Sequence, residues 1–212
     1  MTQVKICGIT NRDDAHVAAE AGADMIGLIF YPPSPRYVTP EQARTIVESV
    51  PPTLPAAGVF VNETWETVSR VAQESGIQIV QLHGEESPEM CRQLPWRVVK
   101  TFRFSAHVRP EMMADYAVEA FLIEGFHANF YGGVGSRADW QQVATLHAYG
   151  RIILAGGLTP DNVQEAIRVV QPYAVDVGSG VEAAPGKKDW QKVQAFISRA
   201  KHALPDNPPA TG

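Results

Sequence analysis

The sequence predicts a single-domain α/β protein folded as a closed (β/α)8 barrel, the TIM-barrel architecture. Short apolar segments rich in β-branched residues recur eight times, and amphipathic segments separate them. The apolar segments are nearly continuous rather than alternating, which is typical of parallel strands covered on both faces. Regular alternation of strand and helix favours a parallel sheet, and eight units in 212 residues match a small barrel of this class.

The elements follow one another along the whole chain. The eight predicted strands occupy 4–8, 23–30, 56–61, 77–84, 96–102, 119–125, 151–157 and 173–180. Between them, Asn11 precedes two acidic residues, and Thr39, Ser87 and Thr159 are each followed by a proline and an acid. These are the residues expected at a helix cap and first turn. The other predicted helix boundaries are a start at Asn62 or Thr64 and ends at Gly22 and Gly76.

An open, doubly wound sheet is the alternative architecture. No GxGxxG motif follows the first strand, so the usual reason to prefer an open dinucleotide-binding sheet is lacking. We therefore expect one barrel domain over 1–203. The remaining 204–212 contain three prolines and no apolar periodicity, so we expect a flexible tail there.

Composition and charge restrict the classes of function. The net charge of −5 gives no basic face for nucleic acid. Two cysteines form no disulfide framework, and no Cys or His pair has zinc-ligand spacing, so we expect no zinc site. No apolar run is long enough for a membrane span, and no leader segment is evident. We expect a cytoplasmic protein with no membrane partner, either a monomer or a homodimer.

The predicted barrel restricts where the functional residues can lie. Functional groups of such barrels lie at the carboxyl ends of the strands and in the loops that follow. The candidates at those ends are Cys7, Arg36, Asn62, His83, Arg103, Glu124, Gly156, Gly157, Asp176, Gly178, Ser179 and Gly180. Among them, His83 and Asp176 are expected to contact the substrate.

The last two loops predict a phosphate site. Gly156 and Gly157 follow the seventh strand and precede a helix predicted to start near Thr159, and 178–180 follow the eighth strand. Glycines let backbone N–H groups approach an anion, and loops seven and eight are the usual phosphate-binding loops of these barrels. Tight turns are the alternative explanation for each glycine pair. The two loops together favour a phosphorylated small-molecule substrate.

Two further loops are candidates for substrate contact. Arg36 lies between Pro35 and Tyr37, where restricted backbone would orient a guanidinium towards a carboxylate or phosphate. The loop at 125–139 is long and contains Gly132, Gly133 and Gly135, which predicts a lid or binding loop.

Cys7 and Glu124 are the groups that could move protons. A thiol acts as a base only where its surroundings favour the thiolate, and a cysteine at a strand end is often an inert core residue instead. Cys91, on a predicted helix, fits that inert description. Glu124 ends an apolar strand, so partial burial is expected to raise its pKa and suit it to general-acid catalysis.

Seven motifs together resemble one enzyme family. They are VKICGIT (4–10), SPRYV (34–38), GVFVN (58–62), VQLHG (80–84), GGVG before DW (132–140), ILAGGLTPDNV (153–163) and DVGSGVE (176–182). In this order they resemble phosphoribosylanthranilate isomerase, a (β/α)8 enzyme of tryptophan biosynthesis. The resemblance implies an Amadori rearrangement of N-(5-phosphoribosyl)anthranilate to 1-(2-carboxyphenylamino)-1-deoxyribulose 5-phosphate, with no metal or redox cofactor.

The resemblance also implies roles for single residues. Cys7 matches the family's general base, and Arg36 matches the arginine that faces the anthranilate carboxylate. Glu124 stands where the family has an aspartate as general acid, so the carboxyl group is kept one methylene further out. Asp176 is the fallback acid or a residue that orients the substrate. Val134 stands where the family commonly has threonine.

Two other functions remain as alternatives. A related barrel isomerase of the histidine pathway would have an aspartate at the end of the first strand, and Cys7 argues against it. A barrel that binds a phosphorylated ligand without catalysis is the alternative from a different class.

Overall fold

The protein is a closed parallel barrel surrounded by helices. The computed structural model describes residues 1–104, 110–125 and 137–203. The barrel strands are β1 (Gln3–Cys7), β2 (Met25–Ile29), β3 (Ala56–Phe60), β4 (Ile79–Leu82), β5 (Arg97–Phe104), β6 (Ala120–Gly125), β7 (Ile152–Ala155) and β8 (Ala174–Val177). Each strand pairs in parallel with the next, and β8 pairs with β1 to close the ring. The predicted barrel is confirmed.

The helices lie on the outside of this ring. They are α1 (Arg12–Glu20), α2 (Pro40–Val47), α3 (Trp65–Ser75), α4 (Pro88–Gln93), α5 (Arg137–Ala144), α6 (Val163–Val170) and α7 (Trp190–Lys201). The predicted caps Asn11, Thr39 and Ser87 are confirmed, because each side chain accepts a hydrogen bond from the backbone of its first turn. Of the two residues predicted to start α3, Thr64 is the cap. No helix in the described residues is long and apolar enough to cross a membrane.

The alternation of side chains along each strand divides the core into two. Val4 and Ile6 of β1 pack outwards against the helices in the larger cluster. The smaller cluster fills the barrel itself and contains Met25, Ala57, Ile79, Val99, Ala120, Leu122, Ile153, Ala155 and Ala174. Because side chains alternate along a strand, Lys5 and Cys7 share the interior face of β1. Residues at the carboxyl ends of the strands therefore close the top of this apolar interior.

Three local predictions differ from the structure. The helix predicted near Thr159 begins at Val163, because the side chain of Asn162 accepts the backbone N–H of Thr159 and holds a turn there. After β5, the described residues contain the 3-10 helix Pro110–Asp115 where an α-helix was expected. Between β8 and α7 lies an unpredicted hairpin of β9 (Glu182–Ala184) and β10 (Lys187–Lys188). The predicted tail at 204–212 lies outside the described residues.

Candidate active site

A buried polar layer lies directly beneath the mouth of the barrel. Lys5 is almost fully buried, and its Nζ donates to Gln81 Oε1 at 2.8 Å and to Asp176 Oδ1 at 3.0 Å. Burial lowers the pKa of Lys5, but the charge and hydrogen bond of Asp176 outweigh it and leave that pKa raised. Lys5 is therefore charged inside the barrel, and its two contacts link β1 to β4 and β8 below the site.

Cys7 is the next interior residue of β1, one layer above Lys5. A Cβ placed on Gly27 of the neighbouring strand would lie 2.6 Å from the thiol sulfur, so the absence of a side chain there makes room for the thiol. Burial raises the pKa of Cys7, and the nearby Lys5 and Lys188 ammonium groups oppose that rise only in part. The thiol is therefore protonated in the substrate-free protein at neutral pH.

His83 occupies the carboxyl end of β4 and has a defined tautomer. Lys5 donates to the side-chain oxygen Oε1 of Gln81. The side-chain nitrogen Nε2 of Gln81 therefore faces His83 Nδ1, 3.2 Å away. An amide N–H can only donate, so this network assigns Nδ1 as the acceptor and places the imidazole proton on Nε2. Nε2 faces Glu124 Oε2 at 3.5 Å, so His83 presents an N–H to the carboxylate.

Glu124 lies near the end of β6, with its side chain 34% exposed. The hydrogen bond from His83 is the main cause that lowers its pKa, and burial opposes it. The charge of Arg103, whose Nε is 4.0 Å from Oε2, adds to the lowering. The predicted rise in the pKa of Glu124 is therefore wrong for the substrate-free protein. Donors at the ends of β4 and β5 outweigh the effect of partial burial.

Arg36 lies in the loop after β2 and reaches the mouth of the barrel. A Cβ on Gly8 would lie 2.7 Å from Arg36 Cδ, so the arginine stem crosses the backbone next to Cys7. Its Nε and Nη2 donate to the two carboxylate oxygens of Glu182 at 2.7 and 2.6 Å. This hydrogen bond is the main cause that raises the pKa of Arg36. The guanidinium is thus charged and held in one orientation.

The two glycine loops predicted to bind phosphate lie side by side. A Cβ on Gly180 would lie 1.9 Å from the carbonyl oxygen of Leu158, so loop eight packs directly on loop seven. Gly156 and Gly157 have φ of +87° and +64°, a backbone shape that favours glycine. Gly178 has no such requirement, and among the described residues a Cβ there would meet only the carbonyl oxygen of Cys7, at 3.8 Å. Ser179 begins a short 3-10 turn that ends at Val181.

Comparison with known proteins identifies the family. A model of the family described as N-(5'-phosphoribosyl)anthranilate (PRA) isomerase matches residues 4–199. The chain belongs to this family. A relative from Trichlorobacter lovleyi, named N-(5'-phosphoribosyl)anthranilate isomerase, is 50% identical over 205 residues, which cover 96% of this chain and 100% of the relative.

Solved structures of PRA isomerases have the same fold. The crystal structure of phosphoribosyl anthranilate isomerase from Thermotoga maritima is 42% identical, with a TM-score of 0.86, over 95% of this chain and 99% of that one. A second crystal structure holds reduced 1-(o-carboxyphenylamino)-1-deoxyribulose 5-phosphate. It is 41% identical with a TM-score of 0.82, over 95% of this chain and 99% of that one. The protein is therefore an aldose–ketose isomerase of tryptophan biosynthesis.

The candidate residues of this PRA isomerase fall into two levels. Cys7, His83 and Glu124 lie at the mouth, as the ends of their strands predicted. Asp176 lies one layer lower, buried and paired with Lys5. Asn62 faces the loop after β4, where its Oδ1 accepts the backbone N–H of Glu85. The glycine-rich segment with Gly132, Gly133, Val134 and Gly135 lies outside the described residues.

Four residues of this site were missed by the sequence reasoning. Lys5 and Gln81 interrupt apolar strands with polar side chains on the interior face, and that signal was available in VKIC and IVQL. Glu182 and Lys188 lie on the β9–β10 hairpin, which has no strand periodicity to find. Lys188 is fully buried, and its Nζ donates to the carbonyl oxygens of Cys7 and Gly178 at 2.6 and 3.1 Å.

Proposed function

We propose that Cys7 is the general base and Glu124 the general acid of the PRA isomerase reaction. The observation that carries this assignment is their placement. Both lie at carboxyl ends of barrel strands, with β7 and β8 between β6 and β1 on the shorter path around the ring. A sugar held between them would have an acid on one side and a base on the other, which is the arrangement the chemistry needs.

The proton transfers balance with these two groups alone. Glu124 protonates the ribose ring oxygen, the bond from that oxygen to C1′ breaks, and the anilino nitrogen lone pair forms the Schiff base. The Cys7 thiolate then takes the proton from C2′, and the electrons of that bond give the enolamine. The enolamine then tautomerises to the aminoketose, in which the proton lost from the C2′ hydroxyl is offset by the one gained at C1′, so this step needs no net proton. The rearrangement is therefore an internal redox step with no external oxidant or reductant.

The protonation states of the free protein are the reverse of those required. The thiol of Cys7 carries the proton because its pKa is raised, and Glu124 is ionised because its pKa is lowered. The active form has the same number of protons, with one moved from sulfur to carboxylate. A substrate that brings a carboxylate and a phosphate into the mouth would raise the pKa of Glu124, since nearby negative charge disfavours a second anion.

The pH dependence of kcat/KM tests this assignment, measured through the loss of substrate fluorescence. We expect a plateau at neutral pH, because the required proton count is constant between the two pKa values. The rate should fall on the acid side below 4.5, the ordinary glutamate value, and on the alkaline side above 9.0, the ordinary thiol value. A change in kcat/KM between these two pH values would contradict the assignment.

Replacement of His83 by asparagine is expected to move the acid limb towards neutral pH. The variant removes the main group that lowers the pKa of Glu124, so that pKa should rise. The alkaline limb belongs to Cys7 and should stay in place. His202→Asn, an exposed substitution at the end of α7, is the matched control. An unchanged acid limb in His83→Asn would exclude Glu124 as the group that titrates there.

We further propose that the loops after β7 and β8 bind the substrate phosphate, through 156–157 and 178–180. Gly178→Val is expected to raise KM about tenfold or more with little change in kcat, because the added side chain would keep the phosphate away from the backbone N–H groups. A lost hydrogen bond to a charged group is worth about 1.5–3 kcal/mol. Valine at Gly157 would instead strain a backbone with φ of +64°, so Gly178 is the cleaner position.

The control for this experiment lies on the neighbouring hairpin. Ala184→Val places the same side chain on an exposed strand and should leave KM unchanged. An unchanged KM in Gly178→Val would contradict the phosphate assignment.

We also infer that the protein works in the cytoplasm as a single catalytic domain over 1–203. Both cysteines are free thiols, and a base such as Cys7 needs a reducing compartment to stay reduced. The oligomeric state that the sequence predicts is a monomer or a homodimer.

A further inference from the structure

Arg36 is held in place by the carboxylate of Glu182, the last residue of the DVGSGVE segment. Glu182, the first residue of β9, binds the Nε and Nη2 edge of the guanidinium through both carboxylate oxygens. A guanidinium presents five N–H groups in a rigid fork, and this contact uses two of them. The other edge, formed by Nη1 and the second N–H of Nη2, has the geometry to take another carboxylate in the same bidentate manner.

Lys188 supports Glu182 from below. Its Nζ lies 3.1 Å from Glu182 Oε1 and is held by the carbonyl oxygens of Cys7 and Gly178. Burial raises the pKa of Glu182, but Arg36 and Lys188 outweigh it and leave that pKa lowered, so the carboxylate is ionised. Burial lowers the pKa of Lys188, and the charge and hydrogen bond of Glu182 oppose that effect. With Lys188 protonated, the three side chains carry one net positive charge. Without Lys188, Glu182 would cancel the charge of Arg36 and remove its attraction for an anion.

The same contacts fix where the free edge of Arg36 lies. The stem of Arg36 crosses Gly8, directly after Cys7, and the hairpin turn at Gly186 accepts a hydrogen bond from Thr10 Oγ1. The hairpin is thereby attached to the loop after β1. Through Glu182 and the hairpin, the guanidinium is therefore held at a fixed position relative to β1, the strand that carries the proposed base.

We propose that Glu182 is a specificity-determining residue, which positions Arg36 to bind the anthranilate carboxylate of the substrate. This inference rests on the proposed role of Arg36. It predicts that Glu182 contributes to the binding of ligands that carry the carboxylate and not to the binding of ligands that lack it. A purely structural role would affect both kinds of ligand equally.

Two binding probes separate these cases. One is reduced 1-(o-carboxyphenylamino)-1-deoxyribulose 5-phosphate, and the other is its phenylamino counterpart without the carboxylate. Calorimetric titration of the full chain gives the ratio of the two dissociation constants. In Glu182→Gln we expect weaker binding of the carboxylated probe by about 10–100-fold, the cost of losing a hydrogen-bonded charged contact. Binding of the counterpart should not change.

A second variant guards against misfolding. Glu182→Gln leaves Lys188 buried without its counter-charge, whereas Glu182→Asp keeps the charge and withdraws it from Arg36 by about one bond length, ~1.5 Å. Both variants should lose the preference for the carboxylated probe. With the natural substrate, KM should rise more than kcat falls. Glu74→Gln, which breaks the exposed ion pair with Arg70 on α3, is the matched control and should keep the preference.

The possible outcomes distinguish the inference about Glu182 from the proposed role of Arg36, on which it rests. Arg36→Met should also abolish the preference, and a preference retained in that variant would overturn the role of Arg36 and the inference together. Loss of the preference in Arg36→Met but not in either Glu182 variant would overturn the inference alone. Equal weakening of both probes by Glu182→Asp would show that Glu182 acts only on the fold, and would overturn it as well.

Discussion

Replacement of Cys7 by serine is expected to lower kcat by about 10²–10⁴-fold, the usual contribution of a general base. A serine hydroxyl is a far weaker acid than a thiol, so its conjugate base is not available to take the proton from C2′. The substitution nearly preserves volume, and the space above Gly27 that accommodates the sulfur also accommodates an oxygen. KM should therefore change much less than kcat, as steady-state kinetics will measure.

The second cysteine provides the control for this variant. Cys91 is buried on α4, where burial raises its pKa to about 11. Cys91→Ala should keep kcat, although its stability will fall with the lost packing. Cys7→Ser with full activity would show that another group removes the C2′ proton.

Replacement of Glu124 by glutamine should also lower kcat by about 10²–10⁴-fold, because an amide has no proton to give to the ring oxygen. The amide keeps the size of the side chain, so its position between His83 and Arg103 is retained. Circular dichroism should show an unchanged fold. Full activity of this variant would transfer the acid role to Asp176 or to water.

Glu124→Asp is the informative partner of that variant, since it keeps the carboxyl group and shortens the side chain by one methylene. A displacement of about 1 Å at a catalytic group costs up to about a hundredfold in rate. We expect the aspartate variant to retain far more activity than the glutamine variant, because it keeps an ionisable proton at the site. Equal activities of the two variants would mean that the proton at this position is not used.

The fold could be predicted from the sequence because its signals are local. Each strand is an uninterrupted apolar run, and most helices begin at a capping side chain such as Asn11 or Thr39. The site could be predicted as far as the carboxyl ends of the strands, which placed Cys7 and Glu124 at one end of the barrel. The predicted start of α6 near Thr159 was wrong, because the side chain of Asn162 stabilises a turn where Thr159 was expected to be the cap.

The electrostatics of the site could not be predicted in the same way. Glu124 follows an apolar strand, which by itself favours a raised pKa, but His83 and Arg103 arrive from other strands and reverse the sign. Glu182 contacts Arg36 across 146 positions of sequence. Such contacts depend on the closure of the barrel and on the β9–β10 hairpin, and no local pattern reports them.

The most direct test of the central claim is the isotope effect of a substrate that carries deuterium at C2′, measured in single turnovers of Cys7→Ser and Glu124→Gln. If Cys7 removes the C2′ proton, that step limits the serine variant, which should show a large primary isotope effect. If Glu124 opens the ring first, ring opening limits the glutamine variant, and its isotope effect should be close to unity. Equal isotope effects in the two variants, or the reverse order, would contradict the assignment of base and acid.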